Sequence, residues 1–260
     1  AMEAYEKGYL EAPNGLDLSW GNPTTIVKLI DKIGRREGFG DYLAKGIHAL
    51  EEELGTNFAQ EIKGQELPMH DPRGKKGFGL SYATSPRGAT HLEGMHDTVF
   101  ESNEVAEELG VSGHYDRLSL DGKAKLAKVY EDLMSFTNSA IECRFTTFNR
   151  AGDRYNYPEV RQALNAVTGR DIDAAEMLEI GERNLMLLKL LSFREGYSLE
   201  EDDLTDRLKS KLPAGGSAGE GLPEKDLRAM KEEYYSLRGL TEEGPTAEKL
   251  AELALDNLDI

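Results

Sequence analysis

Apolar residues recur at three- and four-residue intervals along most of the chain, a spacing that places them on one face of a helix. Ile26, Leu29, Ile30 and Ile33 make the first such stripe; Thr24, behind Pro23, can cap it and Gly38 ends it. A second stripe, Leu43, Ile47, Leu50 and Leu54, can start at Asp41 and close at Gly55, where a left-handed cap is wanted. The two read as a helical hairpin. From Glu61 to about Phe100, glycine and proline fall too close together for any long helix, and no alternation is sustained for a strand. The pattern there predicts an ordered loop region, because Phe78, Leu80 and Tyr82 keep it more apolar than a linker.

Helical periodicity resumes at Val105 and Leu109 and is strongest at Leu126, Val129, Tyr130, Leu133 and Phe136. Val160, Leu164 and Val167 predict a short helix closed by Gly169. Asp173 can cap a longer one carrying Met177, Ile180, Leu185, Leu188 and Leu191 up to Gly196. The stretch from Leu212 to Lys225, centred on Gly215-Gly216-Ser217, predicts a mobile loop. Two last helices are marked by Leu227, Met230, Tyr234 and Leu237, and by Leu250, Leu253 and Leu258. With no internal repeat and no convincing strand, the fold class is mostly α and multihelical.

Composition narrows the setting. A chain of 260 residues makes one large domain or two modest ones, either with enough core to fold without staples. The single cysteine, Cys143, excludes a disulfide within the chain and fits a reducing cytoplasm. No apolar run spans a bilayer and the first residues lack a signal-peptide pattern, so a soluble, cytoplasmic protein without a membrane partner is expected. Lys+Arg 31 against Asp+Glu 48 gives a formal charge of -17, which opposes contact with phosphate backbones and makes nucleic acid an unexpected partner. The chain opens at Ala1-Met2 in what reads as mid-element, as an internal fragment would.

Between Asp71 and Glu93 no acid occurs, while Arg73, Lys75, Lys76 and Arg87 do, interleaved with Gly74, Gly77, Gly79 and Gly88. Glycine-rich backbone can approach an anion closely and arginine can grip its oxygens, yet a tight surface loop with internally bonded arginines uses the same residues. His91 ends the span, and imidazole exchanges protons near neutrality; His70, His96 and His114 have the same chemistry, a structural hydrogen bond serves any of them, and no pair has zinc-ligand spacing. Cys143 precedes Arg144, whose charge favours the thiolate that holds iron, although a free cysteine also serves as a small apolar residue.

Two strings carry a resemblance: Glu66-Leu67-Pro68-Met69-His70-Asp71-Pro72-Arg73-Gly74, and Gly79-Leu80-Ser81-Tyr82-Ala83-Thr84-Ser85-Pro86-Arg87-Gly88-Ala89-Thr90-His91. Trp20-Gly21-Asn22 ahead of Arg36-Glu37-Gly38-Phe39-Gly40-Asp41, Cys143 before Phe145-Thr146-Thr147-Phe148, Ile180-Gly181-Glu182-Arg183, and Tyr234-Tyr235-Ser236-Leu237-Arg238-Gly239 agree in order. Over nearly its whole length the chain resembles the aldehyde ferredoxin oxidoreductase family.

The resemblance implies tungsten, sometimes molybdenum, held between two pyranopterins beside a 4Fe–4S cluster, with aldehydes oxidised to acids and ferredoxin as electron acceptor. It implies a sheet-rich N-terminal domain followed by two helical ones. Residues 1–100 would be part of the middle helical domain with its glycine-rich loop region, and 101–260 the C-terminal helical domain. The family's Asp-x-x-Gly-Leu-Cys motif stands here as Asn138-Ser139-Ala140-Ile141-Glu142-Cys143, which makes Cys143 the last cluster ligand. His91 falls on the catalytic histidine near the metal. Arg87, Thr90, Glu93, Asn138, Ile141 and Glu142 fall beside the cofactor.

Several positions depart from the family. Asn138 replaces an aspartate that accepts from pterin nitrogens, Ile141 and Glu142 replace glycine and leucine, His70 stands where many members carry tyrosine, and Glu93 where a lysine is frequent. The other cluster cysteines, the first pterin motif and the N-terminal domain lie outside the matched region. This polypeptide alone is therefore expected to bind neither metal nor pterin and to be inactive, the N-terminal remainder being its partner. Two other readings stand beside this one: a catalytic subunit like those of benzoyl-CoA reductases, and a cofactor-free helical paralogue acting as a scaffold.

Overall fold

A computed structural model describes residues 1–13, 15–94, 96–100, 107–111, 113–143 and 157–258. Val105, Arg144 and Phe145-Thr146-Thr147-Phe148, which the sequence singles out, lie outside the described residues. The chain divides into two compact units, 1–66 and 67–260. As expected, both are built from helices, and the described strands are limited to short two-stranded hairpins. Among the described residues no helix is long and apolar enough to cross a membrane.

The first unit holds α1 (Met2–Glu6), α2 (Pro23–Arg35), α3 (Phe39–Leu43) and α4 (Ile47–Leu54), then the hairpin β1 (Glu61–Ile62) and β2 (Gln65–Glu66). Asn22, rather than Thr24, caps α2: its side chain accepts from the Thr25 N–H, and Pro23 takes the first helical position, where its missing donor is no loss. The stripe expected to run as one helix from Asp41 to Leu54 is broken at Gly46, whose φ of 91° no helix accommodates. Gly55 closes α4 in the left-handed conformation, as read from the sequence. α2 and α3 touch backbone to backbone, for a Cβ on Gly40 would stand 2.1 Å from the Lys32 carbonyl carbon.

The second unit contains α5 (Lys76–Thr84), α6 (Lys123–Ser139), α7 (Tyr157–Thr168), α8 (Ala174–Arg194), α9 (Asp206–Lys209), α10 (Glu224–Arg238) and α11 (Ala247–Glu252). A hairpin of β3 (Leu240–Thr241) and β4 (Gly244–Pro245) joins the last two. α6 and α8 form its spine. Leu126, Val129, Tyr130, Leu133 and Phe136 of α6 are buried together with Leu109, Val111, Ile172 and Met177. Asp173 caps α8 by accepting from the Glu176 N–H at 2.8 Å. At the crossing the two backbones meet at Gly181, where a Cβ would lie 1.8 Å from the Asp132 carbonyl oxygen.

α5 corrects the expectation of an uninterrupted loop. All nine of its residues are buried, so it has no polar face to betray a helical period. Its glycines serve contact instead of turning: a Cβ on Gly79 would stand 2.6 Å from Leu222, and one on Gly77 3.1 Å from Asp97. The Asp97 carboxylate accepts the Gly77 and Phe78 amides at 2.8 and 3.0 Å and pairs with the buried Lys123 at 2.6 Å. An anion thus sits on the N-terminus of α5, where free amides favour it. The Leu212–Lys225 loop, expected to be mobile, is held: its shoulders bond each other at Leu212 and Glu220, and the Gly221 carbonyl accepts from Lys76.

Candidate cofactor site

The site begins where α5 stops. Ser85 leaves the helix in extended conformation, and the turn that follows needs Gly88 at φ 78°. Ser85 Oγ donates to Glu93 at 2.8 Å and Arg87 Nη1 donates to the same carboxylate at 2.9 Å. Arg87 and Glu93, expected separately beside an anionic cofactor, therefore neutralise each other. Thr90 is buried and its hydroxyl accepts from the Leu92 N–H at 3.2 Å. His91 is half-buried beside it.

The other basic residues of the span are largely spent within the fold. Arg73 is buried, grips both Asp71 oxygens and donates to the Arg207 carbonyl. Burial pushes the Asp71 carboxyl up, but the Arg73 bonds outweigh it and hold the group below its ordinary range. Lys76 is buried against Gly221 and Glu220. Lys75 keeps a different partner, His96, at 2.6 Å.

Asn138 approaches from the end of α6. Ser85, Pro86, Glu93, Glu131, Asn138 and Leu185 line one small cavity of about 40 Å³, room for water or the edge of a ring but not a whole bicycle. Glu131, Ser135 and Asn138 lie at i, i+4 and i+7 of α6, so one helix face builds one wall. Sequence reading missed Glu131, although that same spacing back from Asn138 was the signal. Its Oε2 accepts from the Tyr234 hydroxyl at 2.5 Å and from Arg238 at 2.9 Å, while among the described residues its buried Oε1 has no hydrogen-bond partner. Burial raises this carboxyl above its ordinary value, and Arg238 and Tyr234 pull it only part of the way back.

Past Asn138 the helix closes in a left-handed turn. The Ile141 N–H donates to the Asn138 carbonyl and that of Glu142 to Thr137, both at 3.0 Å, the paired bonds of a Schellman cap. Ile141 has φ 59° and is 93% exposed, so a β-branched residue stands in the conformation glycine prefers. Glu142 is half-buried, and Cys143 follows with its thiol exposed. Asn184 holds the end of α6 by donating to Ser139 Oγ at 2.6 Å.

Residues 1–255 match the family described as aldehyde ferredoxin oxidoreductase, domains 2 and 3, and the chain belongs to that family. It is 36% identical over 263 residues to the tungsten-containing aldehyde ferredoxin oxidoreductase of Pyrococcus furiosus, and 37% over 266 residues to that of Pyrococcus abyssi. The alignments cover 98% of this chain but 41% of each relative, so the chain spans well under half of their length. The WOR-like subunit of an aliphatic sulfonate oxidoreductase from Pyrococcus furiosus is 26% identical over 98% of the chain. Among solved structures, the active-site complex BamBC of benzoyl coenzyme A reductase with 1,5-dienoyl-CoA shares the fold at TM-score 0.67 and 21% identity. That likeness covers 98% of this chain and 42% of the other.

Proposed function

We propose that this chain supplies the C-terminal helical wall of a tungsten- or molybdenum-bis-pyranopterin site, beside a 4Fe–4S cluster, in an enzyme that oxidises aldehydes to carboxylic acids with ferredoxin as acceptor. The observation that carries the reading is the shared cavity of Glu93 and Asn138, with His91 and Cys143 a few residues along from each. An N-terminal remainder would complete the site, and this chain alone would be inactive.

The donor set fits such a cofactor. A pterin edge offers N–H donors, and Glu131 and Asn138, which line one wall of the cavity, carry acceptors. Glu131 adds a carboxyl acceptor beside the amide at 138. Arg87 and Thr90 would steady the loop against the cofactor, Ile141 and Glu142 would form the turn beneath it, and Cys143 would be the chain's ligand to the cluster. When bound, the metal centre supplies two-electron chemistry that protein side chains cannot perform. His91 would hold or release a proton as substrate loses hydrogen. A single cysteine meant for iron supports a reducing, cytoplasmic setting.

The test is the full reading frame containing this chain, expressed without oxygen in tungstate and molybdate. Expected are stoichiometric tungsten or molybdenum, a cluster signal by electron paramagnetic resonance, and aldehyde-dependent reduction of ferredoxin. Cys143→Ala should abolish the cluster signal. A protein that binds neither metal, or a cluster that survives Cys143→Ala, would end the proposal.

A further inference from the structure

Three imidazoles and an amine follow one another through the second unit. The His70 ring lies 5.1 Å from His91 and 4.6 Å from His96, centroid to centroid, the latter edge-on at 80°. His96 is stacked on Phe78 at 4.7 Å, and its Nδ1 is 2.6 Å from Lys75 Nζ. Lys75 in turn lines an open cavity of about 380 Å³ together with Thr98, Arg117 and Ser217. The order is therefore His91, His70, His96, Lys75, open cavity.

Two other uses of these groups fit less well. Among the described residues no three His, Cys, Asp or Glu side chains are arranged to hold a metal ion. Packing alone does not call for an ammonium spent on an imidazole. Two carboxylates of the same segment are committed elsewhere, Asp71 to Arg73 and Asp97 to Lys123 and two amides. Burial, then His91 and Lys75, hold His70 below the ordinary imidazole value, which keeps it neutral and able to accept. Burial also lowers Lys75; Asp97 opposes that shift and Arg117 adds to it.

We propose that His70, His96 and Lys75 form a proton exit from His91 to the open cavity beside Arg117. The inference rests on the reading of His91 as the group nearest the redox centre. Conversion of an aldehyde and water to a carboxylic acid releases two protons and two electrons; a cluster held by Cys143 would take the electrons, and the protons need a separate route. Each transfer breaks one N–H bond and makes another, directly or across one water. At the outer end, Lys75 Nζ gives a proton to water in the cavity and, as the neutral amine, takes the Nδ1 proton of the His96 imidazolium.

Imidazole nitrogen NMR on this chain tests the linkage without any cofactor. Removing Lys75 charge by Lys75→Met, or the neighbour by His91→Gln, should raise the His70 midpoint by at least ~0.5 pH unit, since groups in one network titrate together. Midpoints that stay in place while circular dichroism reports a folded chain would overturn the proposal. In the metal-loaded full-length enzyme, Lys75→Met and His96→Ala should lower kcat about tenfold, leave KM unchanged and enlarge the solvent isotope effect, with added imidazole restoring the alanine variant. Unchanged kcat in both would also overturn it. Absence of metal or of aldehyde oxidation would instead sink the functional reading and leave the NMR result to decide the linkage.

Discussion

At the scale of single residues, capping chemistry was legible because it acts over a few positions. Asp173 and Gly55 stand where their residue types require. The α2 cap moved from Thr24 to Asn22 because Pro23 suits the position just inside the helix. The resemblance marked Asn138 and Cys143, but not that Ile141 would take the left-handed conformation that glycine prefers. Its left-handed φ costs on the order of 1–2 kcal/mol for a residue with a Cβ, and at 93% exposure its side chain returns little by burial. Glycine in the same place carries a larger entropy in the unfolded chain, an opposing effect of roughly 0.5–1 kcal/mol. Ile141→Gly is therefore expected to stabilise the chain by up to about 1 kcal/mol in urea denaturation. A loss of stability would mean that the turn is not strained and that Ile141 holds it by contact.

At the scale of elements, the amphipathic helices α6, α8 and α10 were legible because each keeps a polar face. α5 was not: burial on every side erases the period, and its glycines, read as turn formers, are the places where other elements touch it. Gly181 belongs to the same class. The sequence shows a glycine inside an otherwise good helix, and only the crossing with α6 explains it, since a Cβ would overlap the Asp132 carbonyl at 1.8 Å. Backbone on that side cannot swing away as a side chain can. Gly181→Ala should lower the free energy of unfolding by about 3 kcal/mol or more, at or beyond the upper end of ordinary overpacking. The denaturant slope should be unchanged. A loss below about 1 kcal/mol would show that the α6–α8 crossing is looser than this.

At the scale of the whole molecule, the second unit is tied by a buried ionic network whose members are too far apart in sequence for spacing to reveal them. Arg238 of α10, fully buried, pairs with Asp132 and Glu131 of α6 and lies 3.7 Å from Glu182 of α8. Lys128 bridges Asp132 and Glu182, both at 2.9 Å, and Lys249 of α11 lies 3.5 Å from Glu182. Burial pushes the Glu182 carboxyl up, yet Lys128 and Arg238 outweigh it and leave the group below its ordinary value. The same network fixes Glu131, so the arginine that ties the helices also leaves one carboxylate oxygen of the proposed pterin wall unpaired. Removing one partner of such a network leaves charge stranded in the interior, whereas replacing partners together by apolar groups can be nearly neutral. Arg238→Met alone should therefore cost about 3–5 kcal/mol, and Arg238→Met with Asp132→Leu and Glu131→Gln should recover much of that loss. Chemical denaturation of the single and triple variants makes the comparison. A triple variant no more stable than the single one would mean that Arg238 acts through packing and not through the charges it neutralises.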